Sequence, residues 1–288
     1  MDKKTVRLLP APAPESGPAD VAGSHPNTGL LQRARQEVAV RPLAWFFVLA
    51  FVFSWATWPV VLATGSGPPV LGFGPFLAAV LVLALAEGKS GVGRLLRAMT
   101  RWRVPVRWWA IALLLPVVLT GASAMLNVAM GAPAPTATEL GRWPDALMTA
   151  VVILCIPAIG GAWEEPGWRG FALPRLLSRF SPLIASLLLG VVWAVWHLPL
   201  LIQGDQHWSD LLLVTLAAIV FTWVFGNACS SVLVAMVMHA MNNAVSGEYV
   251  SPMFTGADST RQSWLLVLVW GLTALAVAAC ARGFRRAP

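Results

Sequence analysis

The chain has 288 residues, of which 57% are hydrophobic and only 11% are charged, and its formal net charge is +7. About a quarter of the residues in an average soluble domain are charged. The composition therefore excludes a water-soluble globule, a coiled coil, a collagen and a disordered protein. It also excludes a soluble nucleic-acid binder, because in so apolar a chain an excess of Lys and Arg indicates topology at a membrane surface.

Residues 1–40 differ in composition from the rest of the chain. They combine charged residues with many Pro and Ala, and the first apolar run begins only near Leu43. A segment of this kind lacks the apolar surface for a packed core. We therefore predict a flexible cytoplasmic tail over residues 1–40 and a transmembrane helical domain over residues 41–288.

Eight apolar stretches follow in chain order. They lie at 43–63, 70–86, 108–130, 146–163, 183–202, 211–226, 229–246 and 264–281. Helices of about 20 residues cross the hydrocarbon of a bilayer, and lipid cannot satisfy an open backbone. The strands of a membrane barrel would instead alternate over about 10 residues. The predicted fold is therefore all-α, a polytopic membrane helix bundle with about eight transmembrane helices.

Basic residues are unevenly distributed among the loops that join these stretches. Lys and Arg cluster before the first stretch, between the second and third, and after the fourth and eighth, whereas loop 203–210 has Asp205, Asp210 and no Lys or Arg. Positive loops stay in the cytoplasm. The pattern predicts a multi-pass protein of the cell membrane with cytoplasmic N- and C-termini, and seven or nine spans are the alternatives to eight.

Two adjacent carboxylates, Glu164 and Glu165, follow the uncharged fourth stretch. On a helix, Glu165 and Arg169 are four residues apart and can form an ion pair on one face. Glu164 then faces elsewhere, next to the space that Gly160 and Gly161 leave. We interpret Glu164 as the reactive carboxylate and the Glu165–Arg169 pair as its support. The alternative is an interfacial ion pair that only ends a helix.

Two of the four histidines, His197 and His239, lie inside apolar stretches. Ionisable side chains at membrane depth are costly and indicate function. Trp193 lies one helical turn before His197 and gives it an aromatic neighbour, while Asn243 lies one turn after His239 on the same face. For each histidine the alternative is a structural hydrogen bond to a neighbouring helix.

Together, Glu164, His197, His239 and Asn243 offer a general base, a polarising group and donors for an oxyanion. Hydrolysis inside lipid requires these groups around a pocket that holds water. We therefore expect the four side chains to converge within about 8 Å, as near-attack geometry demands. Since Glu164 lies at the cytoplasmic end of its stretch and the histidines lie deeper, we expect a polar cavity open to the cytoplasm and cleavage near that face.

At these residues the sequence resembles the CPBP family, which includes type II CAAX prenyl endopeptidases and related bacterial membrane proteins. The family pattern is Glu-Glu-x-x-x-Arg, then Phe-x-x-x-His, then His-x-x-x-Asn. It occurs here as Glu164-Glu165-x-x-x-Arg169, Trp193-x-x-x-His197 and His239-x-x-x-Asn243. The core that bears these motifs covers about residues 145–246, and Trp193 stands where the pattern has Phe.

The resemblance implies an intramembrane peptidase with a defined set of site residues. Glu164 and His197 would activate water, and His239 and Asn243 would stabilise the oxyanion; the supporting residues would be Glu165, Arg169 and Trp193. Both a metalloprotease and a metal-free glutamate mechanism are argued for this family. Glu164, His197 and His239 could form a three-ligand site for one divalent metal such as zinc, with an open position for water, and the sequence leaves this choice open.

The implied partners are the lipid bilayer and a membrane-associated or lipidated protein or peptide, and no nucleic acid. Neither the substrate, nor its prenylation, nor the oligomeric state can be read from the residues. Two other functions are compatible with the same polar residues. One is a transporter in which Glu and His relay protons. The other is a non-catalytic immunity or scaffold protein whose polar side chains hold helices together.

Overall fold

The computed structural model describes residues 26–280, and residues 1–25 and 281–288 lie outside that range. Every regular element in the described range is helical. The α-helices are α1 (Pro26–Val40), α2 (Pro42–Ser54), α3 (Trp58–Thr64), α4 (Gly74–Ala86), α5 (Gly88–Met99), α6 (Val106–Ala129), α7 (Ala137–Gly141), α8 (Trp143–Cys155), α9 (Glu165–Gly167), α10 (Leu173–Leu177), α11 (Pro182–Trp196), α12 (Leu198–Gln203), α13 (Ser209–Asn227), α14 (Val232–Asn242) and α15 (Gly256–Cys280). Four 3-10 or π-helical turns join some of them, at Ala162–Glu164, Trp168–Ala172, Asn243–Val250 and Ser251–Met253.

Helix α1 occupies part of the segment that the composition predicted to be a flexible tail. For residues 26–40 this is a correction, because they form a regular helix that packs against α2 and α4. Val38 is buried in that contact and joins the main apolar cluster. Residues 1–25 of the predicted tail lie outside the described residues.

Helix occupies most of each of the eight predicted apolar stretches within the described range. Five helical stretches are long and apolar enough to span a membrane, namely α2 with α3, α6, α11 with α12, α13 and α15. Helices α4 and α8 are apolar but shorter, and α14 continues into a π-helical segment. The fold is thus an all-α polytopic membrane bundle, as predicted. The cytoplasmic placement of the termini stays a prediction.

The fourth stretch departs from the single helix predicted over 146–163. Helix α8 ends at Cys155, Ile156 has extended backbone angles, and Gly160 adopts φ +71. Ile156 precedes Pro157, and the residue before a proline is disfavoured in helical geometry. Only glycine adopts the left-handed region without a steric penalty. As a result, Glu164 stands on a separate 3-10 turn rather than at the end of α8.

Two apolar clusters form the core of the bundle. The larger one surrounds Trp168 and Trp196, and the second one surrounds Trp108 and Trp270. They meet where α11 packs against α13, and α13 in turn packs against α15. The candidate site residues on α11 and α14 lie at this junction. They are therefore enclosed by protein rather than by lipid.

Hydrogen bonds between segments identify two opposite ends of the bundle. At one end, Arg101 and Ser231 join the loop before α6 to the start of α14, because the Ser231 hydroxyl donates to the Arg101 carbonyl over 2.7 Å. At the other end, Arg261 of α15 donates to Asn127 of α6 over 2.6 Å. The arginine-rich loop and the acidic loops therefore lie at different ends.

Helices α11 and α13 approach each other closely at Gly190. A β-carbon on Gly190 would lie 2.9 Å from the Thr215 carbonyl oxygen and 3.0 Å from the Ala218 β-carbon. Small residues at such positions let membrane helices pack backbone to backbone. Because α11 carries Trp193 and His197, this contact also fixes the position of two candidate site residues.

We predict that Gly190→Ala lowers the free energy of unfolding by about 1–3 kcal/mol, the usual cost of overpacking, since α11 and α13 must separate. Gly226→Ala in α13 is the matched control, because its β-carbon would meet no atom within 4 Å. Reversible unfolding in mixed micelles measures both variants. Equal losses of stability would contradict the close contact at Gly190.

Candidate active site

The predicted ion pair between Glu165 and Arg169 is present and completely buried. Arg169 Nη1 donates to Glu165 Oε1 over 3.0 Å, and the same oxygen lies 2.7 Å from Nδ1 of His239. Both members of the pair have no exposed surface. The ion pair therefore does more than the sequence predicted, because it also fixes the ring of a second candidate residue on a distant helix.

The Arg169 guanidinium is sandwiched between aromatic rings. Its central carbon lies 4.2 Å from the ring centroid of Trp193 and 4.6 Å from that of Phe221. Among the described residues, Arg169 Nε and Nη2 have no hydrogen-bond partner. Cation–π attraction, which strengthens away from water, therefore takes the place of some of its hydrogen bonds.

Glu164 accepts two indole hydrogen bonds at a single oxygen. Trp193 Nε1 donates to Glu164 Oε2 over 2.6 Å, and Trp168 Nε1 donates to it over 3.2 Å. Glu164 is only 4% exposed, so these donors replace the water that a carboxylate would otherwise bind. The second oxygen, Oε1, is left for another partner.

Glu164 and His239 approach each other closely over Gly161. A β-carbon on Gly161 would lie 2.3 Å from His239 Nε2 and 2.7 Å from Glu164 Oε1. Both distances are shorter than a van der Waals contact, so the two side chains fill the place that a larger residue would need. The sequence predicted that Gly161 leaves room beside Glu164, and these side chains take up that room. Gly160, the other predicted contributor, instead faces Ile153.

His197 lies at the junction of α11 and α12, close to the same aromatic residues. Its Nδ1 lies 2.8 Å from the carbonyl oxygen of Trp193. A carbonyl can only accept, so Nδ1 carries the proton and the neutral ring keeps its lone pair on Nε2. The ring centroid of Trp193 lies 5.8 Å from that of His197 and 5.5 Å from that of His239. The structure thus brings Glu164, His197 and His239 together around Trp193.

A cavity of about 400 Å³ borders these groups. Trp193, His197, His239 and Asn243 all line it, so the structure places Asn243 with both histidines as well. The Oδ1 of Asn243 accepts a bond from Asn242 over 3.4 Å. Glu164 is not among the described residues that line the cavity. It contacts Trp193, which lines the cavity, and it approaches His239 over Gly161.

The cavity lies toward the end of the bundle that carries the acidic segments. Asp205, Asp210 and Glu248 line it, whereas the arginine-rich loop contacts the start of α14 through Ser231. His197 follows directly after α11, and only the short helix α12 separates it from loop 203–210. The expected opening toward the cytoplasm stays a prediction.

Sequence reasoning missed two contacts of the site. Trp168 is the fourth residue after Glu164, and this helical spacing was a readable sign of their contact. Phe221 stacks on Arg169 from α13, but nothing distinguishes it from other apolar residues of that helix. Contacts between distant helices of this kind appear only when the helices are packed.

Comparison with known proteins supports the same region of the chain. Residues 143–245 match the family model described as type II CAAX prenyl endopeptidase Rce1-like. A curated relative, CAAX prenyl protease 2 of Methanococcus maripaludis, is 26% identical over 187 residues, which cover 59% of this chain and 67% of the relative. Both matches are to CAAX prenyl proteases. They indicate that the chain is a membrane protease, and they favour this activity over a transporter or an inert scaffold.

The fit of a metal ion was tested on the three candidate ligands, Glu164, His197 and His239. Within residues 26–280, no group of three His, Cys, Asp or Glu side chains is arranged to hold a metal ion. Glu164 Oε2 accepts from indole donors, and Nδ1 of His239 and Nδ1 of His197 are bound to Glu165 and to the Trp193 carbonyl. Glu164 Oε1 and the Nε2 atoms of both histidines are the atoms that could hold a divalent ion, and such a site stays a prediction.

A double-mutant cycle tests the buried ion pair of Glu165 and Arg169. We predict that Arg169→Met alone costs about 3–5 kcal/mol of unfolding free energy, because it leaves the Glu165 charge without its partner. The double variant that combines it with Glu165→Gln should lose much less unfolding free energy than the sum of the losses in the two single variants. Unfolding in mixed micelles measures the cycle.

The exposed pair of Arg142 and Asp145, 3.1 Å apart, is the control for this cycle. Arg142→Met should leave stability almost unchanged, since surface ion pairs contribute little. Additive costs at Glu165 and Arg169 would show that the two side chains do not depend on each other.

Proposed function

We propose that the chain is an intramembrane endopeptidase of the cell membrane that hydrolyses peptide bonds of membrane-associated or lipidated substrates. In this proposal Glu164 and His197 activate water, and His239 and Asn243 stabilise the oxyanion. The observation that supports it is the close approach of Glu164 Oε1 and His239 Nε2 over Gly161, because His239 also lines the cavity. Water in the cavity would therefore meet groups that accept and donate protons.

His197 is suited to act as a general base from the cavity wall. Its Nδ1 proton is held by the Trp193 carbonyl, so the Nε2 lone pair is the group available for water. As water attacks the substrate carbonyl carbon, its proton passes to this nitrogen or to Glu164. The same proton then goes to the leaving amine when the carbon–nitrogen bond breaks.

Glu164 is suited to share that proton because its two oxygens differ. Oε2 is fixed by the indole donors of Trp193 and Trp168, whereas Oε1 approaches His239 over Gly161. The carboxylate thus has one oxygen for binding and one for proton transfer. Fixed orientation of this kind lowers the entropic cost of reaching the transition state.

His239 and Asn243 are suited to receive the charge that develops on the carbonyl oxygen. His239 donates from Nδ1 to Glu165, so Nε2 can donate to the oxyanion when the ring is doubly protonated. The amide of Asn243 lines the same cavity and can donate from its nitrogen. Two donors converging on one oxygen are the usual way to stabilise a tetrahedral intermediate.

We predict that Glu164→Gln and His197→Ala each reduce cleavage at least about 100-fold, the usual loss on removing a general base. Peptides reconstituted with the protein in liposomes would be analysed by mass spectrometry. The control is Glu139→Gln, since Glu139 only caps α7 through Thr136. Cleavage that survives both site variants would refute the assignment.

We also predict that Trp193→Phe lowers kcat by about tenfold with a smaller change in KM, because one hydrogen bond to a charged group is worth about 1.5–3 kcal/mol. In the Glu164→Gln background the same substitution should have little further effect. Trp108→Phe is the matched control, because Trp108 is buried and its Nε1 has no partner among the described residues. An equal loss in both Trp variants would contradict a positioning role for Trp193.

A further inference from the structure

A second cavity lies at the arginine-rich end of the bundle, apart from the candidate active site. It has a volume of about 460 Å³ and is formed where α1 meets α2, next to the end of α10. It shares no described lining residue with the cavity of His197 and His239. Glu87 pairs both with Arg175 of this cavity and with Arg94 of α5, the helix that leads into the arginine-rich loop.

The charged side chains that line this cavity are all arginines. Arg41, Arg175 and Arg179 belong to the lining, and no Asp or Glu does so within the described part of the chain. Guanidinium groups around one cavity repel each other unless an anion lies between them. They also form the fork-shaped donors that bind phosphate well.

Arg175 is held in position by contacts within the protein. Its central carbon lies 3.7 Å from the ring centroid of Phe171, Nη1 donates to the Phe171 carbonyl over 2.9 Å, and Nη2 pairs with Glu87 over 2.6 Å. These hydrogen bonds use two of the five N–H groups that a guanidinium carries. Arg175 can therefore bind an anion at the cavity and keep its present supports.

The neighbouring carboxylates are too few to neutralise the three arginines. Glu87 is shared between Arg175 and a second arginine on α5. Glu37 lies 3.8 Å from Arg41, and both of these side chains are more than half exposed, so their attraction is weak. Arg179 is exposed, and its side chain has no partner among residues 26–280. The cavity thus keeps an excess of positive charge.

Another part of the lining is apolar and belongs to a helix that faces outward. Leu43, Ala44 and Phe47 line the cavity from the first turns of α2. Helix α2 begins a membrane-spanning stretch, and its Val48 and Val52 are more than half exposed. The cavity therefore joins a cationic side at the start of a span to an apolar side that continues toward the hydrocarbon region.

This combination fits an anionic phospholipid better than a soluble anion. A free phosphate would bind the arginines but would leave the apolar lining without a partner. The cationic group of a zwitterionic lipid would meet repulsion from the arginines. Basic pockets between membrane helices are the usual binding sites of anionic headgroups.

We propose that this cavity binds one anionic phospholipid. Its phosphate lies between Arg41, Arg175 and Arg179, and the start of an acyl chain lies along Leu43 and Phe47. The inference does not depend on the proposed peptidase activity, because the two cavities are separate. It makes a negatively charged lipid a specific ligand of the protein as well as part of the surrounding bilayer.

Lipid binding to the full-length protein in a neutral detergent tests this site. Native mass spectrometry measures the binding of phosphatidylglycerol and of phosphatidylcholine that carry the same acyl chains. We expect phosphatidylglycerol to bind at least about tenfold more tightly, because each basic residue at a membrane surface adds to the attraction of anionic lipid. Glycerol 3-phosphate, which offers a phosphate without acyl chains, should not displace it at the same concentration.

Two double variants that each remove two exposed cations connect the preference to the cavity. Arg41→Gln with Arg179→Gln should remove most of the preference for phosphatidylglycerol. Lys89→Gln with Arg97→Gln on α5 is the matched control, since both residues are exposed and lie outside the lining. Arg179→Gln alone breaks no contact within the described residues and should already weaken binding several-fold. Circular dichroism checks that each variant keeps its helices.

Several outcomes would overturn the inference. Equal binding of the two lipids would show that the cavity does not select negative charge. A preference that survives the double variant at Arg41 and Arg179, or that falls equally in the α5 control, would show only a general attraction of anionic lipid to this end. Displacement by an equal concentration of glycerol 3-phosphate would indicate a site for a soluble phosphate instead.

Discussion

Two neighbouring carboxylates that are buried inside a membrane bundle set the main constraint on this structure. A buried charge is costly unless it is paired and hydrogen-bonded. Glu165 meets this requirement through Arg169 and His239, and Glu164 meets it through the indole groups of Trp168 and Trp193. These partners come from the turn after α8 and from helices α11 and α14. Satisfying the two carboxylates therefore brings together the parts of the candidate active site.

The interruption of the fourth apolar stretch follows from the same requirement. A straight helix through 146–163 would place Glu164 at its end, whereas the break after Cys155 lets a short turn carry the carboxylate into the bundle. Irregular backbone at membrane depth is tolerated where protein encloses it or where it lines a cavity. The glycine at position 161 then lets Glu164 and His239 approach each other without a clash.

The cavity joins two sets of side chains that differ in chemistry. His197, His239 and Asn243 share its wall with Trp193, and Asp205, Asp210 and Glu248 line it as well. The matches to CAAX prenyl proteases indicate a peptidase. In the proposed reaction the histidines and Asn243 would act on the peptide bond, and the acidic side chains would border the same cavity.

The amino-acid sequence alone determined the membrane-helical class of the fold and indicated the residues of the candidate site. Apart from a closed barrel, a helix is the only backbone structure that continuous apolar runs can form in lipid, and helical spacing of four residues is enough to predict the contact of Glu165 with Arg169. The tertiary structure decided what spacing cannot encode. The hydrogen bond from Trp193 to Glu164 joins residues 29 positions apart, and the hydrogen bond from Gln262 to Ser123 joins α15 to α6. Such contacts follow from how separate helices pack, and local periodicity contains no information about that packing.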